Sequence, residues 1–147
     1  ILVEPANAVE VLVEDIADAA KSIFIAAPYA STACLAKLGD TIRDAIARGI
    51  ALEIYLASTP REDAKETLAE MNVEYAIRAE GRLCAVIIDE ETVWYGTIPL
   101  LAFPKNEDCS IRFKNSEIAA ELLDEVSHKG KPDAASTDGT SPSLAVE

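Results

Sequence analysis

Histidine, the residue type most often used for acid–base and nucleophilic catalysis, occurs once in this chain of 147 residues, as His128. Histidine suits such chemistry because its ordinary pKa lies near neutrality. His128 follows the last predicted helix, in a segment rich in Lys, Gly, Pro, Ser, Asp and Thr that has almost nothing to bury. We therefore predict that the folded part of the chain does not run histidine-based catalysis.

The three cysteines are an odd number, are widely spaced and lie among apolar neighbours, at Cys34, Cys84 and Cys109. This pattern argues against a disulfide framework and against a Cys-x-x-Cys metal site. It favours three small buried hydrophobic residues over reactive thiols.

Loops that bind nucleotides or metals are also missing from the sequence. Gly-x-Gly-x-x-Gly does not occur, and the only Gly-Lys pair, Gly130-Lys131, is followed by Pro132. The Cys and His spacings of zinc sites are absent as well. We expect this chain to use no cofactor and no metal.

Acidic residues outnumber basic ones by 26 to 13, which gives a net charge of −13. Most carboxylates fall on the polar faces of predicted helices, and a tight hairpin turn explains Asp89-Glu90-Glu91 better than a cation site does. Because the average field repels polyanions, the composition argues against an autonomous binder of nucleic acids or anionic membranes.

The length suits a single globular domain, and 50% of the residues are hydrophobic, which is enough for one core. The chain has no apolar run long enough to span a bilayer and no signal-peptide pattern at its amino end, so we expect a soluble, cytoplasmic protein. Since the first residue is Ile1 rather than Met, we expect a domain taken from a longer polypeptide.

Hydrophobic periodicity predicts alternating helices and strands. A first helix is predicted at residues 7–20. A second begins after an N-cap at Ser31 or Thr32 and ends before a C-cap at Gly49, a third runs from a capping box at residues 59–62 to about residue 71, and a fourth runs from Asn115 or Ser116 to Val126. Strands are predicted at residues 22–28, 51–57, 73–77, 83–88, 92–96 and 109–113. The core of the strand at 22–28, from Ile23 to Ala27, is apolar without alternation, as in a strand that is covered on both faces. We therefore predict an α/β fold with a mixed β-sheet flanked by helices, formed by one domain over residues 1–126, and a disordered tail or linker over residues 127–147.

Residues 82–89 and 92–99 resemble the motif region of the phospholipase D superfamily. That pattern is His-x-Lys-x-x-x-x-Asp on one strand, then a short turn, a second strand and Gly-Ser-x-Asn. The spacing matches throughout, with Arg82 at the histidine position, Cys84 at the lysine, Asp89 at the aspartate, Gly96 at the glycine, Thr97 at the serine and Pro99 at the asparagine. The resemblance covers about residues 7–126 and implies a layered phospholipase D-like fold.

A narrower resemblance points to the phospholipase D-like module at the C-terminus of some bacterial superfamily I DNA helicases. It rests on residues 93–96, the Leu100-Leu101 pair, Glu107-Asp108 before residues 110–113, and residues 118–123. The resemblance implies a helicase-associated domain whose contact with nucleic acid is made through the larger protein.

The departures from the family pattern fall on the residues to which the resemblance assigns chemistry. The guanidinium of Arg82 has no lone pair for attack on phosphorus, and Cys84 cannot supply the charge of lysine. Pro99 removes an amide donor as well. The motif is therefore predicted to be degenerate and the domain to be catalytically inactive.

Two other roles for these residues are weaker. Cys84 could act as a nucleophile, but the sequence shows no base within its reach. Arg82 could bind a phosphate, but a salt bridge between Arg82 and an acidic neighbour is favoured over that contact. Because the family builds one site from two facing motifs, a single copy implies a homodimer or a partner domain of the same polypeptide. The alternative function is a phosphodiesterase or nuclease that is active through altered residues or a complementing partner domain.

Overall fold

The computed structural model describes residues 1–78 and 84–130. The helices are α1 (Ala8–Asp18), α2 (Thr32–Ala47), α3 (Glu62–Glu70) and α4 (Ser116–Gly130); the strands are β1 (Leu2–Val3), β2 (Ser22–Ala27), β3 (Ala51–Leu56), β4 (Ala76–Ile77), β5 (Cys84–Ile88), β6 (Thr92–Gly96) and β7 (Ser110–Lys114). None of the helices in these ranges is long and apolar enough to cross a membrane.

All of these strands form one sheet in the order β1-β7-β6-β5-β2-β3-β4. Strand β3 pairs in parallel with β2 and with β4, whereas the other pairs are antiparallel. The sheet is therefore mixed, as predicted. The predicted hairpin is β5–β6, and Asp89 and Glu90 in its turn have φ of 57° and 56°. Two successive residues with positive φ are what a type I′ hairpin turn needs.

The central strand β2 is buried on both faces, which confirms the prediction from its unbroken apolar sequence. Ile23 and Ile25 belong to the larger core cluster, with residues of α1, α2 and α3. Phe24 and Ala26 face the other way and pack in a smaller cluster with Ala119 of α4. One face of the sheet thus carries three helices, and α4 covers part of the other face.

Helix α2 has the ends that its sequence predicts. The Ser31 hydroxyl accepts a hydrogen bond from the Cys34 amide at 3.2 Å, and Gly49 has a φ of +87°. The side-chain acceptor satisfies one of the unpaired amides of the first turn, and glycine takes the left-handed conformation at no steric cost.

Several predicted boundaries are wrong. Helix α3 starts at Glu62 with Arg61 as its N-cap, so Thr59 does not open a capping box. Strand β4 is only two residues long, β7 starts after Cys109, and β1 was not predicted. The two residues of β1 are too few to show a periodicity in the sequence, so only their pairing with β7 reveals the strand.

Helix α4 continues to Gly130. The prediction that His128 lies past the last helix is therefore wrong, since residues 127–130 are helical. A formed helix can continue into a polar sequence because each added residue contributes one backbone hydrogen bond without a new nucleation step. Residues 131–147 of the predicted tail lie outside the described residues.

A polar cluster that the sequence did not reveal ties α1 to the sheet. The carboxylate of Asp15 accepts hydrogen bonds from Trp94 Nε1 at 2.7 Å and from Arg112 Nε and Nη2, each at 2.7 Å. Trp94 is 1% exposed and Asp15 is 9% exposed. A bidentate arginine and an indole donor satisfy a carboxylate that would otherwise be costly to bury.

Candidate functional site

The two strands of the motif hairpin and the next strand along the sheet bring the candidate residues to one end of the sheet. Cys84 opens β5 and pairs with Gly96 at the end of β6, and Gly96 pairs with Ser110 at the start of β7. We call this end of the three strands, at Cys84, Gly96 and Ser110, the motif edge. Arg82 lies outside the described residues.

Cys84 is a core residue, as predicted. It is 9% exposed and packs in the larger cluster, on the same face of β5 as Val86 and Ile88. Burial, with a smaller contribution from the Asp108 carboxylate, raises the pKa of its thiol. A thiol that holds its proton at neutral pH is neither a nucleophile nor a substitute for the positive charge of lysine.

Asp89 is separated from the motif edge by the length of β5, about 16 Å at 3.3 Å per residue. Its carboxylate accepts backbone N–H bonds from Ala20 (3.0 Å to each oxygen), Lys21 (2.6 Å) and Ser22 (3.1 Å). Partial burial acts to raise the pKa of Asp89, but these amides and the charge of Lys21 outweigh it and lower the pKa below 3.8. Asp89 thus fastens the hairpin turn to the start of β2, at the end of β5 opposite the motif edge.

Gly96 is required by close packing. A Cβ atom there would lie 2.3 Å from the Cys109 carbonyl oxygen and 2.6 Å from Ser110 Cα. Real Cβ atoms do not approach backbone atoms so closely, so only glycine lets β6 and β7 meet at this register.

Thr97 has a hydroxyl, as the family pattern has at this position, but that hydroxyl is engaged with the backbone of Cys109. It accepts from the Cys109 amide at 3.1 Å and donates to the Cys109 carbonyl at 3.3 Å, and the Thr97 amide bonds the same carbonyl at 2.9 Å.

Cys109 itself is exposed, so the prediction that all three cysteines are buried is wrong for this one. Cys34 is buried, and burial raises the pKa of its thiol to about 11 against the opposing effect of Lys37.

The segment from Ile98 to Leu101 closes the motif edge with apolar side chains, and all four of its residues are buried. The Pro99 carbonyl accepts from the Leu101 amide at 2.7 Å around Leu100, whose φ is 70°. A hydrogen bond between residues i and i+2 around such a φ is a classic γ-turn, which is rare and strained. The Leu101 carbonyl in turn accepts from the Ser31 amide at 2.9 Å, which joins the segment to the start of α2.

The sequence did not single out Arg78, which stacks on Tyr55 at the end of β4. Its guanidinium carbon lies 4.5 Å from the ring centroid, and the Tyr55 hydroxyl donates to Glu53 Oε2 at 2.9 Å. Burial is the main cause that raises the pKa of Tyr55. Residue type alone does not reveal this contact, because it depends on β3 and β4 being neighbours.

An exposed apolar stripe lies beside the motif edge, on the face of the sheet that α4 covers in part. Leu2, Ile111 and Tyr95 are in register across β1, β7 and β6, and they are 54%, 56% and 48% exposed. Ile111 and Tyr95 directly follow and precede Ser110 and Gly96 in the chain. We call Leu2, Ile111 and Tyr95 the apolar stripe. Its members are separate in the sequence, so only the strand order brings them together.

The described residues hold no group of three or more His, Cys, Asp or Glu that could bind a metal ion. Neither of two concavities in the same part of the chain is lined by Cys84, Thr97 or Asp89. Cys84, Thr97 and Asp89 thus make their contacts with other residues of the fold.

Comparison with solved structures defines the fold class. The chain superimposes on Nuc from Salmonella typhimurium, a phospholipase D family member, with a TM-score of 0.65 and 19% identity over 82% of this chain and 86% of that chain. It superimposes on NucT from Helicobacter pylori with a TM-score of 0.69 and 18% identity, over 88% of this chain and 93% of that one. TrmBL2, an archaeal chromatin protein, gives a TM-score of 0.61 and 19% identity over 87% of this chain and 50% of its own.

The chain has a phospholipase D-like fold, as the motif spacing predicted. No protein-family model matches the sequence, and no curated protein matches it. At identities below 20% these likenesses define the fold and not the activity.

Proposed function

We propose that this chain is a catalytically inactive phospholipase D-like accessory domain, which serves as an interaction and dimerisation module of a larger nucleic-acid-processing protein, a cytoplasmic DNA helicase. The observation that carries the proposal is the contrast, at the motif edge, between the motif positions and the apolar stripe. The motif positions that can be placed are engaged in structural contacts, while an exposed apolar stripe lies directly beside them.

The proposed inactivity rests on three groups that are buried or hydrogen-bonded within the fold. The Cys84 thiol is buried and stays protonated, the Thr97 hydroxyl is shared with the Cys109 backbone, and Pro99 is buried and has no N–H to donate. Phosphoryl transfer needs a nucleophile and a preorganised positive charge. These positions supply neither.

The dimer rests on the apolar stripe. Apolar side chains on one open sheet face are suited to an isologous interface, in which a two-fold axis places the same patch of each copy against the other. Aromatic residues such as Tyr95 are typical of the centre of such interfaces. A partner domain of the same polypeptide would cover the stripe in the same way.

The helicase context rests on the resemblance of residues 93–96 and 118–123 to the helicase-associated module. DNA binding is stated for the chromatin protein TrmBL2. With a net charge of −13, this chain is poorly suited to bind DNA by itself, so the larger protein is proposed to make that contact.

Size-exclusion chromatography with light scattering at tens of micromolar tests the dimer. The parent is expected to be a dimer and Ile111→Asp a monomer, because a charge at the centre of the stripe would be desolvated on association. Phe103→Asp is the matched control, since Phe103 is 43% exposed but lies outside the stripe, and it should remain dimeric. A monomeric parent, or a dimeric Ile111→Asp, contradicts this part of the proposal.

Catalytic inactivity is tested without metal on bis-p-nitrophenyl phosphate and on single-stranded DNA. The parent, Cys84→Ala and Arg82→Ala should all give the background rate of hydrolysis. Activity in the parent that either substitution abolishes would establish a phosphodiesterase or nuclease instead.

A further inference from the structure

A second surface, away from the motif edge, combines apolar and acidic side chains. An open groove of about 860 Å³ runs along α1 beside the loop that carries Phe103; its lining is Pro5, Ala6, Val9, Glu10, Val13, Glu14, Lys37, Phe103 and Pro104. We call it the α1 groove. Its apolar part is formed by proline, valine and phenylalanine side chains, and its charged part by two carboxylates and one ammonium group.

Phe103 is presented to the groove by a fixed segment. It is 43% exposed, whereas the two residues before it, Leu101 and Ala102, are 0% and 5% exposed. The Leu101 carbonyl accepts from the Ser31 amide at 2.9 Å, which holds the segment against the start of α2. An exposed aromatic ring on an anchored segment loses little conformational freedom on binding, and this is a property of interface hot spots.

The acidic side chains of the groove are arranged as a row. Glu10 and Glu14 are four residues apart on α1, so they lie about 6 Å apart along the helix axis, parallel to Val9 and Val13. Like charges at this spacing disfavour a helix, although Glu10, in the first turn of α1, also interacts favourably with the helix dipole. Neither carboxylate forms an ion pair within the described part of the chain, although Glu14 acts on Arg112 through its charge.

We propose that the α1 groove binds a basic amphipathic helix of a partner protein, with apolar side chains against Val9, Val13 and Phe103 and with lysine or arginine against Glu10 and Glu14. A helix repeats its own side chains every three to four residues, so basic residues at that spacing match the 6 Å separation of the glutamates. The net charge of −13 attracts such a partner over long range. Lys37 of α2 also lines the groove and disfavours basic residues near it, so the cations of the partner are expected to contact Glu10 and Glu14 of α1.

The test uses a fluorescent helical peptide of about 18 residues with leucine on one face and lysine on the other. Fluorescence anisotropy measures its affinity for the parent chain, for Phe103→Ser and for the double variant Glu10→Gln/Glu14→Gln. Each variant is expected to weaken binding about tenfold, because each removes one half of the recognition. A peptide with glutamate in place of lysine should not bind.

Matched controls separate this site from simple attraction between opposite charges. Glu62→Gln/Glu66→Gln removes the same charge at the same spacing from exposed positions of α3, and it should leave the affinity unchanged. Ile111→Ser in the apolar stripe should also leave it unchanged, so that failure of the dimer and failure of the groove are distinguishable. Equal weakening by both pairs of glutamates, no effect of Phe103→Ser, or no binding to the parent would overturn the proposal.

Discussion

The two ends of the β5–β6 hairpin differ in how well their residues match the family pattern. At the turn, Asp89 matches the pattern and its carboxylate holds the backbone amides of Ala20, Lys21 and Ser22. At the motif edge, Cys84 departs from the pattern and is a core residue. The positions that match are those that hold the fold together, and the positions that depart are those to which the resemblance assigns chemistry. A motif can therefore remain recognisable by its spacing where its residue types differ.

Gly96→Val is the strongest test of the claim that a matching position is structural. The new Cβ would meet the Cys109 carbonyl oxygen at 2.3 Å, and backbone cannot move aside as a flexible side chain can. We expect a loss of about 3 kcal/mol in the free energy of unfolding, measured by urea denaturation.

Gly39→Ala is the matched control for that substitution. A Cβ at Gly39, inside α2, would have the Met71 sulfur at 4.0 Å as its nearest neighbour. Alanine should therefore stabilise the helix by up to about 1 kcal/mol. If Gly96→Val is tolerated as well as Gly39→Ala, the close approach of β6 and β7 does not require glycine.

Asp89→Ala should cost about 2 kcal/mol, since it removes hydrogen bonds from three backbone amides to a charged acceptor. The pKa of Asp89 is lowered in the folded chain, so its contribution is fully present above the ordinary value of 3.8 and is lost as the pH falls through the folded pKa.

Urea denaturation of the parent and of Asp89→Ala at a series of pH values measures this dependence. The difference between the two should be constant at neutral pH and shrink only below about pH 4. Glu90→Gln, in the same turn but exposed, should behave as the parent does. A difference that shrinks between pH 5 and 7 would contradict the assignment to Asp89.

Most of the sheet was predictable from the sequence, and the reasons are local. Strand β2 is apolar from Ile23 to Ala27, as suits a strand that is covered on both faces, and Ser31 and Gly49 mark the two ends of α2. The two strand patterns on either side of Asp89-Glu90-Glu91 predicted the β5–β6 hairpin. These features depend on residues close together in the chain, so one sequence is enough to read them.

Features that join distant segments were not predictable. The Asp15 carboxylate meets Arg112 across 97 positions, and the apolar stripe joins Leu2 to Ile111 and Tyr95 through strand register. The predicted capping box at Thr59 is wrong although its residue types fit, because the N-cap of α3 is Arg61, two residues later. Of the candidate site, the departures from the family pattern were visible in residue types, but the engagement of Thr97 with Cys109 was not.

Thr97→Val should have a smaller effect, a loss of about 1 kcal/mol. It keeps the shape of the side chain and removes the hydroxyl that bonds the Cys109 amide and carbonyl. Thr59→Val, at an exposed position with no such bonds, is the control. If the hydroxyl served a reaction rather than the loop, the substitution would change hydrolysis of bis-p-nitrophenyl phosphate and leave the free energy of unfolding unaltered.

The smallest expected change is in thiol reactivity, and it separates the three cysteines without altering stability. Cys109 is exposed, whereas Cys34 and Cys84 are buried and have raised pKa values. With a thiol-reactive dye at neutral pH, Cys109 should react fast in the native chain and the other two only at the rate of unfolding. Cys109→Ser should therefore remove the whole fast phase, and denaturation of the parent should release all three thiols. A fast phase that persists in Cys109→Ser but disappears when Cys84→Ala is added would make Cys84 accessible and reactive, which would reverse the comparison between the two ends of the hairpin.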